Sequence, residues 1–313
     1  MNAGSQRTGL LLALGAAVIS GVAVYVNGEA VGKFSSPTVY TTGKNVVAGI
    51  LLVAVALAWR RPTTASSTAA AARPSSGQER LGLVVVAVIG GAVPFVLFFE
   101  GLARATSSDA AFLHKTLVVW VAVLAVAVLR ERLTMWHVGA VALLIAGQIA
   151  LADGIGSLRP GVGEAMILAA TLCWAVELIV VKRLVDTVPS TTVGACRIGG
   201  GAVLLVVWLA VTGRLADLST LSATQWAWLM LTGSILTVFV TVWFAAVARA
   251  QVTDVAAVLV PGAVITGLIR LAAGGTAAPI QIAGWVLMAV AVTALVVRQS
   301  ADGVGRPSIG ATA

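Results

Sequence analysis

Ten apolar runs, most of them eighteen residues or longer and each bounded by charge, Gly or Pro, leave this chain few folds to choose from. About 20 apolar residues cross the roughly 30 Å hydrocarbon core of a bilayer. No water reaches that core, so a crossing segment must satisfy its own backbone groups, and a helix does so. The runs cover 9–26, 37–59, 81–99, 109–129 and 138–151, then 164–181, 191–211, 226–247, 255–272 and 280–297. They predict an all-α integral membrane protein of ten transmembrane helices, here numbered spans 1 to 10. Composition agrees, since 59% of the 313 residues are hydrophobic and 10% charged, against about 25% charged in a soluble domain. Mean hydropathy is +1.02.

The connections carry the charge. Residues 60–80 separate spans 2 and 3, and their centre, 62–78, is mostly Ala, Ser, Thr and Pro, which predicts a disordered loop. The polar start, 1–7, leads into a run expected to stay as span 1 and not to be removed as a signal peptide. Segment 298–313 is expected to be a cytoplasmic tail. If both termini and the even-numbered loops share one side, that side holds twelve basic residues: Arg7, Arg60, Arg61, Arg73, Arg80, Arg130, Arg132, Lys182, Arg183, Arg249, Arg298 and Arg306. The other side holds four, Lys33, Arg104, Arg159 and Arg214. The positive-inside rule then puts both termini in the cytoplasm and the chain in the cell membrane. The net charge of +8 follows from that rule, and its scatter argues against a nucleic-acid partner. Cys173 and Cys196 fall inside apolar runs, so packing is their expected role, with no disulfide framework, metal site or cofactor implied.

The chain is also an internal repeat. Ala103-Arg104-Ala105, Asp109 and Ala111 recur as Ala248-Arg249-Ala250, Asp254 and Ala256 at an offset of 145 residues, which also carries Gly139 onto Gly284. Nearer the amino terminus Gly9 matches Gly163 and Pro37 falls near Pro189. Each half, 1–152 and 161–297, has five spans. An odd number forces two copies of one fold to enter the membrane in opposite senses, the inverted duplication common in secondary transporters.

The chain resembles the EamA-type branch of the drug/metabolite transporter superfamily. The first half closes with Leu129-Arg130-Glu131-Arg132-Leu133-Thr134, then Gly139 and Gly147, which is similar to the family's Gly-Glu-Arg-Leu turn and its Gly-bearing last helix. Gly163-Glu164, Trp174-Ala175, Pro189 with Arg197, and Pro261 resemble the pattern of the second half. The chain departs from that pattern at Val118, where a Pro would stand, at Gly274, where a Glu would stand, and at Lys44, in place of an Arg. The resemblance implies a ten-helix carrier with a central cavity and makes export the expected direction.

Charges inside spans are costly, by about 2.5 to 3.5 kcal/mol at a helix centre, and so are functional candidates. Lys44, seven residues after Pro37, and Lys115, six after Asp109, fall at similar depths from one face. They are expected either to floor an outward cavity that receives a carboxylate, or to snorkel and pair with Glu100 and Asp109. On the first reading Lys115 faces the space between the halves. Glu177, near the middle of span 6, is expected to pair with Arg197 or to exchange a proton during turnover. His114 points about 100° from Lys115 on a helix, which favours a satisfied packing role. Trp120, Phe98, Trp174 and Trp243 are aromatic candidates for a cavity wall, or for lipid contact. Pro94 and Pro261 interrupt spans 3 and 9 and free carbonyls.

Rival functions find less support. No metalloprotease, nucleophile-elbow or nucleotide-loop motif suggests an enzyme, and no filter motif suggests a channel. The expected partners are a small-molecule substrate and the lipid bilayer. The expectation is a secondary transporter of a small polar metabolite, amino-acid-like or carboxylate-bearing, with a membrane enzyme or a channel as the alternative.

Overall fold

The computed structural model describes residues 3–58, 76–105, 107–151 and 161–304. Among them, eight helices are long and apolar enough to cross a membrane: Gly4–Val31, Pro37–Ala58, Gly77–Leu102, Phe112–Leu129, Val162–Leu184, Ser190–Val211, Ala223–Val247 and Val252–Ala272. Two shorter apolar helices, Met135–Leu151 and Pro279–Leu295, complete the ten as spans 5 and 10. Span 3 starts earlier than its apolar run. Ser76 accepts the Glu79 amide while the Glu79 carboxylate takes the Ser76 amide, a capping box that orders the end of the expected 62–78 loop. The rest of that loop, 62–75, lies outside the described residues, as do Arg60, Arg61, Arg73, Arg159 and Arg306. The last helix runs to Val304, so the expected tail opens as helix, and 305–313 lie outside the described residues.

The duplication is visible in backbone geometry. After span 3 the amides of Arg104 and Ala105 both donate to Gly101 O at 2.9 Å. After span 8, 145 residues on, those of Arg249 and Ala250 donate to Ala246 O at 2.9 and 3.0 Å. Each arginine then turns back onto its own helix, Arg104 to Glu100 O and Arg249 to Ala245 O. The halves are interwoven. Gly9 of span 1 lies against Arg249 and Ala250 of the second half, while Gly163 of span 6 lies against Arg104 and Ala105 of the first. A Cβ on Gly163 would stand 2.9 Å from Ala105 N, so only glycine admits this approach. Spans 5 and 10 meet in the same way, Gly147 against Gly284 O and Gly284 against Gly147 O.

Without a hydrophobic drive inside lipid, such small-residue contacts and buried polar bonds hold a bundle together. Three part-buried bonds of one carboxylate join the halves at the turn after span 4. A π-helical turn, Ala125–Leu129, ends at Arg130 in the left-handed conformation with φ 56°. The chain then delivers Glu131 to the first turn of span 9. Its carboxylate accepts Val252 N at 2.8 Å, Thr253 N at 3.3 Å and the Thr253 hydroxyl at 2.8 Å. Those amides have no partner within their own helix, and a carboxylate also suits the positive helix end.

Arg130 occupies the glycine place of the Gly-Glu-Arg-Leu turn, and φ near 56° is costly for any residue with a Cβ. Arg130→Gly is therefore expected to raise stability by about 0.5–1 kcal/mol, read as a higher Tm of the detergent-solubilised protein. A lowered Tm would show that the arginine side chain outweighs its backbone strain.

Candidate functional site

The shortest ion pair among the described residues joins spans 6 and 7. Arg197 Nε donates to Glu177 Oε1 at 2.6 Å, and the side chains are 11% and 4% exposed. Local sequence makes the room. Gly90 leaves a space that the Glu177 carboxylate fills, and any Cβ there would overlap it. Gly91 lies against the Arg197 carbonyl and Gly201, which brings spans 3 and 7 together. Both helices carry a π-helical turn at this crossing, Val86–Gly90 and Cys196–Gly200. Such turns insert one residue and re-aim side chains, and they occur often at functional sites.

Pro94 ends that irregular stretch. Lacking an N–H, it cannot bond Gly90 O four residues back, and the Trp174 indole takes this carbonyl at 3.1 Å instead. The freed carbonyl thus serves packing. Pro261 likewise separates Val252–Leu259 from Gly262–Ala272, and Val260 N bonds Ala257 O at 3.2 Å in its place.

Beyond Pro94, span 3 presents Phe95 and Phe99 one turn apart, and a cation from each half lies over one of them. The Arg197 guanidinium carbon is 5.8 Å from the Phe95 ring and 5.9 Å from Phe244. Lys44 Nζ is 5.5 Å from the Phe99 ring and 5.1 Å from Tyr40. Ring faces attract cations most where water is excluded. Lys44 is buried and donates to Asn27 Oδ1 at 3.0 Å, an oxygen that also accepts the Tyr40 hydroxyl. Lys44 neither snorkels nor pairs with Glu100, whose carboxylate is held by Arg104 at 2.8 Å and Thr38 at 2.9 Å.

Lys115 stands apart from Lys44. A small, open cleft lies between spans 4 and 9, lined by His114, Lys115, Leu117 and Val118 from the first half and Ala256, Leu259 and Val260 from the second. Among the described residues Lys115 makes no hydrogen bond or ion pair. His114 packs its ring at 5.2 Å from Phe98 and 5.0 Å from Trp174, yet its Nδ1 is buried without a partner. It is thus a packing histidine but not a satisfied one. Both neighbours line the cleft because the helix ends at Lys115 and Thr116 forms a tighter turn, its N–H shared between Phe112 O and Leu113 O. Trp120 is not part of the lining. Its indole donates to Thr116 Oγ1 at 3.2 Å and its ring packs on the core. Trp243 is buried and stacks with Phe239 at 5.9 Å, whereas Trp174, Phe98 and Phe95 form one aromatic cluster.

Sequence reasoning missed Asn27 and Tyr40. Tyr40 was a polar side chain inside an apolar run, whereas Asn27 fell one residue beyond the end of run 9–26 and so escaped that signal. It also missed the polar closure at the end of the bundle that holds the amino terminus. There Lys182 Nζ donates to Val247 O and Ala250 O, both at 2.7 Å, and Arg183 donates to Val128 O at 3.0 Å. His137 Nε2 lies 3.2 Å from Asp254 Oδ1, and Gln6 donates to Asp254 Oδ2 at 3.0 Å.

Comparison with known proteins follows this geometry. The model of the EamA-like transporter family matches residues 7–152 and 161–297, the two halves of the bundle. No curated protein matches. Among solved structures, one described only as "Crystal structure of protein" superposes with a TM-score of 0.76 at 15% identity, covering 94% of this chain and 98% of that one. At that identity it shows the shared fold alone.

Breaking a buried ion pair from one side costs more than replacing both partners. Arg197→Met is expected to destabilise by about 3–5 kcal/mol, because the Glu177 carboxylate is left buried, and Arg197→Met with Glu177→Leu to cost clearly less. A double-mutant cycle on thermal unfolding checks this. Additive losses would contradict the pairing.

Proposed function

We propose that this chain, which belongs to the EamA-like transporter family, is a secondary carrier that exports a small polar metabolite bearing a carboxylate. The observation that carries the reading is Lys115, an ammonium without a partner in a cleft walled by one helix of each half. A cation there costs free energy until an anionic group meets it. Rocking of the halves would open that wall alternately to the two sides. Outward direction rests on the family resemblance, and the twelve-to-four distribution of basic residues supports cytoplasmic termini in a cell membrane. The 2.6 Å contact of Arg197 with Glu177 favours a structural pair over a proton-exchanging carboxyl.

Purified protein in liposomes, assayed for counterflow of radiolabelled amino acids, organic acids and sugars, tests the reading. Carboxylates should show trans-stimulation and sugars none. Lys115→Met should cut carboxylate counterflow at least tenfold while the protein keeps its Tm. Counterflow of sugars, unaffected by Lys115→Met, would overturn the assignment. For the orientation, a carboxyl-terminal reporter active only in the cytoplasm should be active; activity of a periplasmic reporter at the same position would reverse it.

A further inference from the structure

The two halves carry the same device with one atom group changed. In each, a cation about two turns into the second helix reaches back to a polar side chain on the first. Lys44 stands seven residues after Pro37 and Arg197 eight after Pro189. The odd residue lies at the helix starts, since Pro37 is the first residue of its helix whereas Pro189 caps a helix that begins at Ser190, so both cations are eighth in their helices. Each cation lies over a phenylalanine of span 3, and each has a second ring beside it. The difference is the partner: Arg197 has the carboxylate of Glu177, whereas Lys44 has only the amide of Asn27. Among the described residues no carboxylate pairs with Lys44, although it is 6% exposed.

A second observation points to a ligand. Thr41 follows Tyr40 on the Lys44 face, one helical turn from Lys44, and is 2% exposed. Its hydroxyl is buried without a partner among the described residues. The Thr41 hydroxyl thus lies one helical turn from Lys44, whose ammonium shares a single amide oxygen, Asn27 Oδ1, with the Tyr40 hydroxyl. A buried ammonium with a neutral amide as its hydrogen-bond acceptor and no carboxylate beside it carries a charge that a bound anion would balance.

We propose that Lys44, Tyr40 and Thr41 bind a single monoanionic group of carboxylate size, which supplies in the first half the counter-charge that Glu177 supplies permanently in the second. The group takes the Lys44 and Tyr40 donors from Asn27 Oδ1. It is either a carboxylate of the transported solute or a free inorganic monoanion. This site is separate from Lys115 and does not depend on the role given to that residue.

The test uses the full chain in detergent and follows Tm as acetate or chloride is added. Wild type should show a saturable rise. Asn27→Asp, which installs the missing carboxylate, should have a higher Tm than wild type without added anion and no saturable rise with it. Lys44→Met should also lose the rise. Glu177→Gln, if it folds, should gain a second saturable rise from the exposed need of Arg197. A rise with acetate alone assigns the site to a solute carboxylate, and a rise with both assigns it to a free monoanion. The proposal fails if wild type shows no saturable rise, or if Asn27→Asp keeps it. A rise lost in Lys115→Met but kept in Asn27→Asp would place the anion at Lys115, leaving that reading intact and this one overturned.

Discussion

A charged side chain in hydrocarbon has no water to solvate it, and the centre of this bundle is arranged around how two such charges are met. Arg197 and Lys44 enter from opposite halves and both lie over span 3, at Phe95 and Phe99. Span 3 can serve both because Pro94 breaks it and the π-helical turn before the proline shifts its register. Gly90 and Gly91 then let Glu177 and span 7 come close enough to complete the ion pair. Without the glycines the carboxylate would have no space, and without the carboxylate Arg197 would be a buried charge with only rings beside it.

The same economy governs the end that holds the amino terminus. Glu131 belongs to the first half but caps the first turn of span 9, and Lys182 satisfies the last carbonyls of span 8. Helix ends in a membrane protein need such partners more than in water. The Glu131 bonds cross between the halves and must break if the halves part on that side, whereas the Lys182 bonds stay within the second half. Opening therefore requires new partners for the Val252 and Thr253 amides, and water entering from that end can supply them.

Much of this was legible in the sequence because lipid allows few solutions. Ten apolar runs leave little but a ten-helix bundle, and the 145-residue register survives as matched bonds at Gly101 and Ala246. The Glu177–Arg197 pairing was legible because two opposite charges on consecutive spans have few other partners. Side-chain partnerships across distant helices were not. Nothing in the spacing of Lys44 reveals that it meets Asn27, and the separation of Lys44 from Lys115 depends on the rotation of spans 2 and 4, which depth alone does not fix. The 100° rule failed at His114 because the helix ends one residue later, a local break no periodicity reports. Glu131, a charged position without a counterpart across the repeat, is engaged as a helix cap and so is not available to a solute.

The central claim is that the two halves move against each other around a solute held between them. Distances between spin labels test it most directly, in a variant with Cys173 and Cys196 replaced by alanine. One pair, at the exposed positions Arg132 and Arg249, spans the end that holds the amino terminus, and the other, at Arg104 and Gly274, spans the opposite end. Under a saturating transported carboxylate the account predicts opposite changes, one pair lengthening as the other shortens. If both distances stay fixed while counterflow proceeds in the same liposomes, the halves do not rock and the claim is contradicted.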